Sequence, residues 1–187
     1  MGLVSRRGLL LGLASGAAAG VFSATTSATI VRAMSLRALV QGSSRILVIT
    51  PLSAESHFED LGRRRRIVTD TRVRVDEAVA KGEGAGSELM VRTLGGSIDR
   101  LGELVHGQAR LVFGQACVAF LLQAPDGLHY VNGMAQGHYP LRLSAGRELD
   151  SSPDLPEIVD FESSAVKELA GSALDKAGTR IRALLAP

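Results

Sequence analysis

The most constraining feature of this sequence is the stretch 65–79, in which β-branched residues alternate with charged ones. Its odd positions include Ile67, Val73 and Val75, whereas most even positions carry arginine or aspartate. Successive side chains of a strand point to opposite faces, so the pattern predicts a long strand with one buried face. A slip of one residue would bury the arginines, and the register is therefore strongly specified.

Other apolar runs and turn signals predict that the fold is mainly β. The predicted strands are 46–49 (covered on both faces), 88–94, 111–113 with 116–123 after a turn, 129–135, and an edge strand at 139–143 containing Pro140. The Pro-Asp-Gly turn at 125–127 joins two of these strands in a hairpin. The segment 97–109 fits either a short helical face or an irregular arm with one short strand near Leu104. The preceding Gly95-Gly96 pair predicts a bend or a positive φ.

A second predicted hairpin pairs 46–55 with the long strand. It brings the acids Glu55, Glu59 and Asp60 opposite the arginine run 63–66. This structural interpretation is favoured over the alternative, in which the four arginines contact an anion or a nucleic acid.

Helices are predicted near both ends of the folded part. Ser35 is placed to cap a short helix that Gly42 ends. Between 162 and 185, apolar residues recur at spacings of three and four, which predicts one amphipathic helix. Gly171 and Gly178 weaken it, so we expect the helix to pack on the β-domain; binding to a partner or a membrane surface is the alternative.

The first 28 residues have the layout of a removable export signal. Arg6 and Arg7 precede an apolar run, and small residues follow it up to Ala28. The Ser-Arg-Arg-Gly-Leu-Leu segment resembles the twin-arginine signal of bacterial proteins exported already folded, although the usual lysine is replaced by Leu11. A general secretory signal is the alternative. Cleavage is predicted after Ala28, with Ala33 as the second choice, and a periplasmic or extracellular location follows.

Charge gives no argument for nucleic acid as a partner. Two of the 21 basic residues lie in the first 28 residues, which hold no acid, so the remainder has 19 basic and 19 acidic residues. Aromatic residues make up only 4% of the chain, which disfavours a single-strand stacking platform. The apolar N-terminal run is Ala- and Gly-rich, and no stable membrane span is expected in the mature chain.

No catalytic, cofactor or metal motif stands out. The single Cys117 lies among apolar residues and is interpreted as a buried, inert thiol. The four histidines have no metal-type spacing, and no serine lies in a nucleophile elbow.

Two segments carry a resemblance to known proteins. Arg-Thr-Leu-Gly-Gly at 92–96 and Gly-Met-Ala-Gln-Gly at 133–137 resemble a group of secreted bacterial proteins of unknown function, best represented among myxobacteria and relatives. More distantly, the long strand running into Ala80-Lys81-Gly82 is similar to the netrin-like β-barrel modules of metalloproteinase inhibitors. The resemblance implies a small OB-like antiparallel barrel. Those inhibitors use an N-terminal cysteine and disulfides, which this chain lacks, so their inhibitory mechanism has no residue to rest on here.

Together these observations predict an export signal at 1–28, a β-barrel domain at 34–143, a linker at 144–161 and a C-terminal helix at 162–187. We expect a non-enzymatic domain that binds a protein or envelope partner, with no cofactor or metal. The alternatives are an exported hydrolase-like enzyme with a composite site and a protease-inhibitor-like module. Arg92, Gln136 and His138 are the candidate functional surface.

Overall fold

The computed structural model describes residues 30–82, 84–142 and 147–186. The strands are β1 (Ile30–Arg32), β2 (Arg45–Leu61), β3 (Arg64–Ala80), β4 (Glu88–Leu94), β5 (Gly96–Ile98), β6 (Leu101–Glu103), β7 (Cys117–Gln123), β8 (His129–Val131), β9 (His138–Arg142), β10 (Glu148–Leu149) and β11 (Glu157–Val159). The α-helices are α1 (Leu36–Gly42), α2 (Ala165–Leu169) and α3 (Leu174–Ala183), with 3₁₀ turns at Met134–Gly137 and Phe161–Ser163. No helix in these ranges is long and apolar enough to cross a membrane.

The long strand predicted at 65–79 is confirmed as β3. It pairs antiparallel with β2 from Ile46↔Ala80 to Leu61↔Arg64, and both strands have 17 residues. Val73 and Val75 are fully buried, and the arginines between and beside them are exposed, as the alternation requires. Register shifts near residues 46–53 bend β2 and increase its twist, which lets so long a hairpin curl over itself.

Five strands close into a ring. β2, β3 and β4 are antiparallel neighbours, β4 runs parallel to β8, and β8 returns through β7 to β2. On the edge of β7 that faces away from β2, residues 117–119 pair with β9. β10 then pairs with β9 outside the ring. The predicted hairpin through the 125–127 turn is confirmed as β7–β8.

Two apolar clusters lie on the two sides of this sheet. One fills the ring interior with residues from all five ring strands: Leu47, Ile49, Val73, Val75, Val91, Cys117, Ala119, Leu121 and Val131, joined by Ala109. The other lies outside the ring, where Ile46, Val48, Val118 and Phe120 pack against β9 and the helices. The run 46–49 therefore serves both clusters, and its prediction as a doubly covered strand is confirmed.

The C-terminal helix differs from its prediction. In place of one helix over 162–185 there are a 3₁₀ turn, α2 and α3, with a break at 170–173. Gly171 has φ +78°, and its N–H donates to the Leu149 carbonyl, so the chain turns there to bond to β10. Packing on the β-domain is confirmed, since Leu169, Leu174 and Ile181 are buried in the outer cluster.

The predicted linker 144–161 contains structure in its described part, 147–161. β10 pairs with β9, and β11 pairs in parallel with β1. Leu149 is fully buried, so this stretch is a strap bound across the domain and the linker prediction is wrong there. Gly107 packs against Pro156 of the strap.

Three strand predictions also need correction. Residues 111–113 form no strand, and Phe113 is 77% exposed because Gly114 turns the chain there. The strand at 129–135 ends at Val131 and gives way to a 3₁₀ turn. β9, which contains Pro140, has neighbours on both sides; the proline carbonyl accepts a hydrogen bond from Asp150.

The segment after Gly96 is extended as the hairpin β5–β6, not helical.

The Gly95-Gly96 pair is confirmed as a bend with positive φ, +88° and +140°. A Cβ on Gly96 would clash with the hydroxyls of Thr69 and Ser56, so both the backbone angle and the space demand glycine. The bend turns the chain out of β4 and into β5.

We predict that Gly96→Ala lowers the free energy of unfolding by at least about 2 kcal/mol, because a strained φ and a steric clash add together. Urea denaturation followed by circular dichroism measures this loss. The matched control is Gly114→Ala, which also has a positive φ but no atom within 4 Å of the added Cβ, and should lose about 1 kcal/mol. Equal losses in the two variants would contradict the crowding at Gly96.

Candidate functional site

Arg92 on β4 is the centre of an ion cluster on the outer face of the ring. Its Nε and Nη2 donate to the two carboxylate oxygens of Asp70 at 2.6 and 2.7 Å, and Nη1 donates to Glu59. The Arg92 side chain is only 11% exposed, and its pKa is raised, chiefly by the hydrogen bond to Asp70. The bidentate pair joins β4 to β3, and the contact with Glu59 joins β4 to β2. These contacts give Arg92 a structural role.

Two of the three acids predicted to face the arginine run do so: Glu59 lies opposite Arg66 and Asp60 opposite Arg65, whereas Glu55 lies opposite Asp70. Glu59 is opposite Arg66, yet it accepts from Arg92. Arg66 instead donates to Glu103 of β6, which also accepts from the Ile67 amide at 2.7 Å. That amide hydrogen bond is the main reason why the pKa of Glu103 is lowered.

Gln136 is a structural clamp. It is 6% exposed; its Oε1 accepts from the Met34 amide at 2.8 Å, and its Nε2 donates to the Arg32 carbonyl at 3.0 Å. Both ends of the side-chain amide are therefore satisfied by the segment around β1.

His138 is 2% exposed, and its Nδ1 lies 3.0 Å from the hydroxyl of Ser152 in the strap. Burial lowers the pKa of His138 to about 4. The distance suits a nucleophile and its base, but Ser152 is also only 4% exposed. As placed, the pair attaches the strap to β9, and no substrate can reach it.

A groove of about 700 Å³ lies at one end of the ring. Its walls come from the ring, the 103–111 loop and the strap; the lining comprises Ala54, Thr69, Thr71, 93–96, 103–111 and 153–157. Arg92, Gln136 and His138 are not among these lining residues. The candidate surface predicted from sequence is therefore not part of this groove.

Threonines form the floor of the groove, at inward-facing positions of the strands. On β3 the inward series runs Thr69, Thr71, Val73, Val75, and the change from threonine to valine coincides with the passage from groove to ring interior. β4 repeats the change with Thr93 and Val91. Hydroxyls thus replace methyl groups where the inner face meets the groove.

Hydroxyl groups also order the floor laterally. Ser56, Thr69 and Thr93 are register partners on three adjacent strands. The Ser56 and Thr69 hydroxyls are 2.9 Å apart, and Thr69 Oγ1 donates to the Gly95 carbonyl at 2.7 Å. The Thr71 side chain lies one step further in, opposite Ala54.

The upper walls are mainly apolar with a few charges. Leu104 is 73% exposed beside the groove, while Leu111 packs on the ring interior. Arg110 pairs with Asp154 at 2.8 Å across the two walls. Glu103 is paired with Arg66, which leaves Glu157, an exposed lining residue, as the excess negative charge.

Sequence reasoning missed this groove because the 103–111 loop and the strap meet only in the fold. One signal was present: the inward face of the long strand changes from valine to threonine along its length. A change from valine to threonine on an inward face indicates where a strand passes from the core to a more polar environment, which here is the groove end of β3.

Other buried polar groups lie away from the groove. Burial raises the pKa of the Cys117 thiol to about 12, which fits the inert interpretation. His129 is 3% exposed, and its pKa is lowered by burial and by Arg45, with the Met90 backbone opposing the shift. No group of three or more His, Cys, Asp or Glu side chains in the described ranges is arranged to hold a metal ion.

No protein-family model, curated protein or solved structure matches the chain. Arg6, Arg7 and the predicted cleavage at Ala28 lie outside the described residues.

We predict that Arg92→Met destabilises the fold by about 2–3 kcal/mol, because Asp70 and Glu59 would be left as two partly buried like charges. Urea denaturation measures the change. In the control, Arg72→Met, the lost partner is Glu88 at 3.7 Å and both side chains are about half exposed, so we expect at most about 0.5 kcal/mol. Similar losses in both variants would contradict a special role for the Arg92 cluster.

The buried His138 predicts a loss of stability in acid. The unfolded chain takes up a proton on this histidine below about pH 6.5, whereas the folded chain resists protonation down to about pH 4. Stability should therefore be complete above that window and fall by up to about 3 kcal/mol as the pH drops through it.

The variant His138→Asn keeps a polar atom near Ser152 but cannot titrate. Its unfolding free energy, measured by urea titration at pH 4.5 and pH 8, should depend on pH less than that of the wild type, with His129 supplying part of the remaining slope. Equal slopes would contradict the assignment.

Proposed function

We propose that the chain is an exported, non-enzymatic binding domain of OB-like type, whose groove holds an extended, mainly apolar peptide segment of an envelope protein. The observation that carries this proposal is the groove itself, with its threonine floor, apolar walls and an excess negative charge at Glu157.

The order of the ring strands supports the OB-like assignment. Neighbours in space run β7-β2-β3-β4, so the fourth of these strands in chain order lies beside the first, which is the Greek-key order. β8 then closes the ring between β4 and β7. A five-stranded Greek-key ring corresponds to the OB description. The distant resemblance to netrin-like modules points the same way.

Groove chemistry favours a peptide over the other ligand classes. Apolar walls suit aliphatic side chains, and the threonine hydroxyls on the floor supply hydrogen-bonding groups for a peptide backbone. The excess acid at Glu157 favours a lysine or arginine in the bound segment. A periplasmic or extracellular address follows from the proposed signal, with Arg6 and Arg7 read by the twin-arginine machinery.

The enzyme alternative rests on the His138–Ser152 pair, which has suitable spacing but is enclosed. The inhibitor alternative rests on exposed Leu104 and Phe113, which belong to the loops before β7. Neither joins a reactive group to the groove, and the binding proposal is therefore preferred.

A displayed random-peptide library tests the proposal. The bait is the chain expressed with its complete N-terminal segment and purified from the periplasm of a bacterial host. We expect the selected peptides to be apolar and to carry a basic residue. Fluorescence anisotropy then measures their binding to two variants, Ala54→Trp and Ala78→Trp.

Ala54 is exposed and lines the groove, whereas Ala78 is exposed on the same β2–β3 hairpin but outside the lining. Ala54→Trp should weaken binding at least 10-fold, and Ala78→Trp should leave it unchanged. Peptides that bind both variants equally would contradict the groove as the site. A small molecule or metal found tightly bound by native mass spectrometry would overturn the non-enzymatic assignment.

A further inference from the structure

Residues 30–34 are part of the folded domain. β1 pairs in parallel with β11 from Ile30↔Glu157 to Arg32↔Val159, and the Ala33 amide donates to the Val159 carbonyl at 3.0 Å. The Met34 carbonyl accepts from the Ala165 amide at the start of α2, at 2.8 Å. The segment is thus bonded on both sides of the Ala33–Met34 bond.

Gln136 strengthens this attachment from inside the domain. Its buried side-chain amide accepts from the Met34 amide and donates to the Arg32 carbonyl, so it bridges the two residues that flank Ala33. Removal of residues up to Ala33 would leave the Gln136 donor without that carbonyl at a buried position, which is costly. It would also remove the partner strand of β11.

We infer that the export signal is removed by hydrolysis of the Ala28–Thr29 bond, and that residues 30–34 remain in the mature protein as an N-terminal segment held by Gln136. In this step a signal peptidase adds water across the peptide bond, which leaves a carboxylate on Ala28 and an amine on Thr29. The inference rests on the proposed export, and not on the groove as a binding site.

The sequence pattern does not separate the two candidate bonds, because both follow an acceptable arrangement of small residues. The fold does separate them. Thr26-Ser27-Ala28 and Val31-Arg32-Ala33 each place small or short side chains at the positions that a signal peptidase reads. A twin-arginine substrate crosses the membrane folded, so the peptidase meets the Ala33–Met34 bond while it is paired with the strap, Gln136 and α2. Ala28–Thr29 precedes β1 in the sequence.

The first test is the N-terminus of the exported protein. The full chain is expressed in a bacterial host with a twin-arginine pathway, and the exported product is analysed by intact mass and N-terminal sequencing. A product beginning at Thr29 is expected. A product beginning at Met34 overturns the inference but leaves export intact, whereas a chain that stays uncleaved in the cytoplasm overturns both.

Matched substitutions in the precursor separate the two bonds. Ala28→Gln should block processing, because a large side chain occupies the position before the cut bond, and Ala33→Gln should leave the Thr29 terminus unchanged. The opposite outcome overturns the inference.

Hydrogen exchange on the exported protein tests the attachment of residues 30–34. The peptide covering 30–35 should be present and protected, and Gln136→Met should speed its exchange at least 10-fold while the β2–β3 hairpin stays protected. The same variant should lower Tm by about 2–4 °C. Unchanged exchange at 30–35 in Gln136→Met would overturn the role of Gln136.

Discussion

The backbone ladder between β2 and β3 is the interaction on which the rest of the structure depends. Its pairing runs from Ile46↔Ala80 to Leu61↔Arg64, and its inner face supplies residues to the ring interior and its outer face residues to the Arg92 cluster. Because each strand contributes alternate residues to opposite faces, one register places valines inside and arginines outside at once. β4 adds to the free edge of β3 and β7 to the free edge of β2, and β8 then joins β4 to β7.

The groove results from the hairpin being longer than the core that it covers. On β3 the residues that face the ring interior are Val73 and Val75, and beyond Val73 the inward positions become Thr71 and Thr69. Apolar residues there would have to be covered, whereas hydroxyls tolerate both a ligand and water. The loop 103–111 and the strap form walls above this floor without filling it. The floor of the groove on β3 is therefore set by a change of one residue type along one strand.

Local patterns predicted the elements that local physics determines. The alternation in β3, the Pro-Asp-Gly turn of β7–β8, the Ser35 cap of α1 and the Gly95-Gly96 bend were all predicted from the sequence and confirmed. Long-range contacts decided the rest: Gly171 breaks the C-terminal helix because its amide bonds to β10. The candidate surface shows the same dependence on long-range contacts. Arg92, Gln136 and His138 were grouped from the sequence, but each bonds to a different distant partner, and the groove is assembled from segments far apart in sequence.

The closure between β4 and β8 has its own consequence. It consists of two register pairs, Val91↔His129 and Arg92↔Tyr130, in parallel, whereas β2–β3 extends over the whole hairpin. The β4–β8 ladder is the shortest in the ring, so we expect local opening of the domain to begin between these two strands. Each separation of β4 from β8 would expose Val91 and Val131 to solvent, while the β2–β3 hairpin stays paired. Local unfolding on the β4–β8 side is thus separable from global unfolding, which requires the β2–β3 ladder to break.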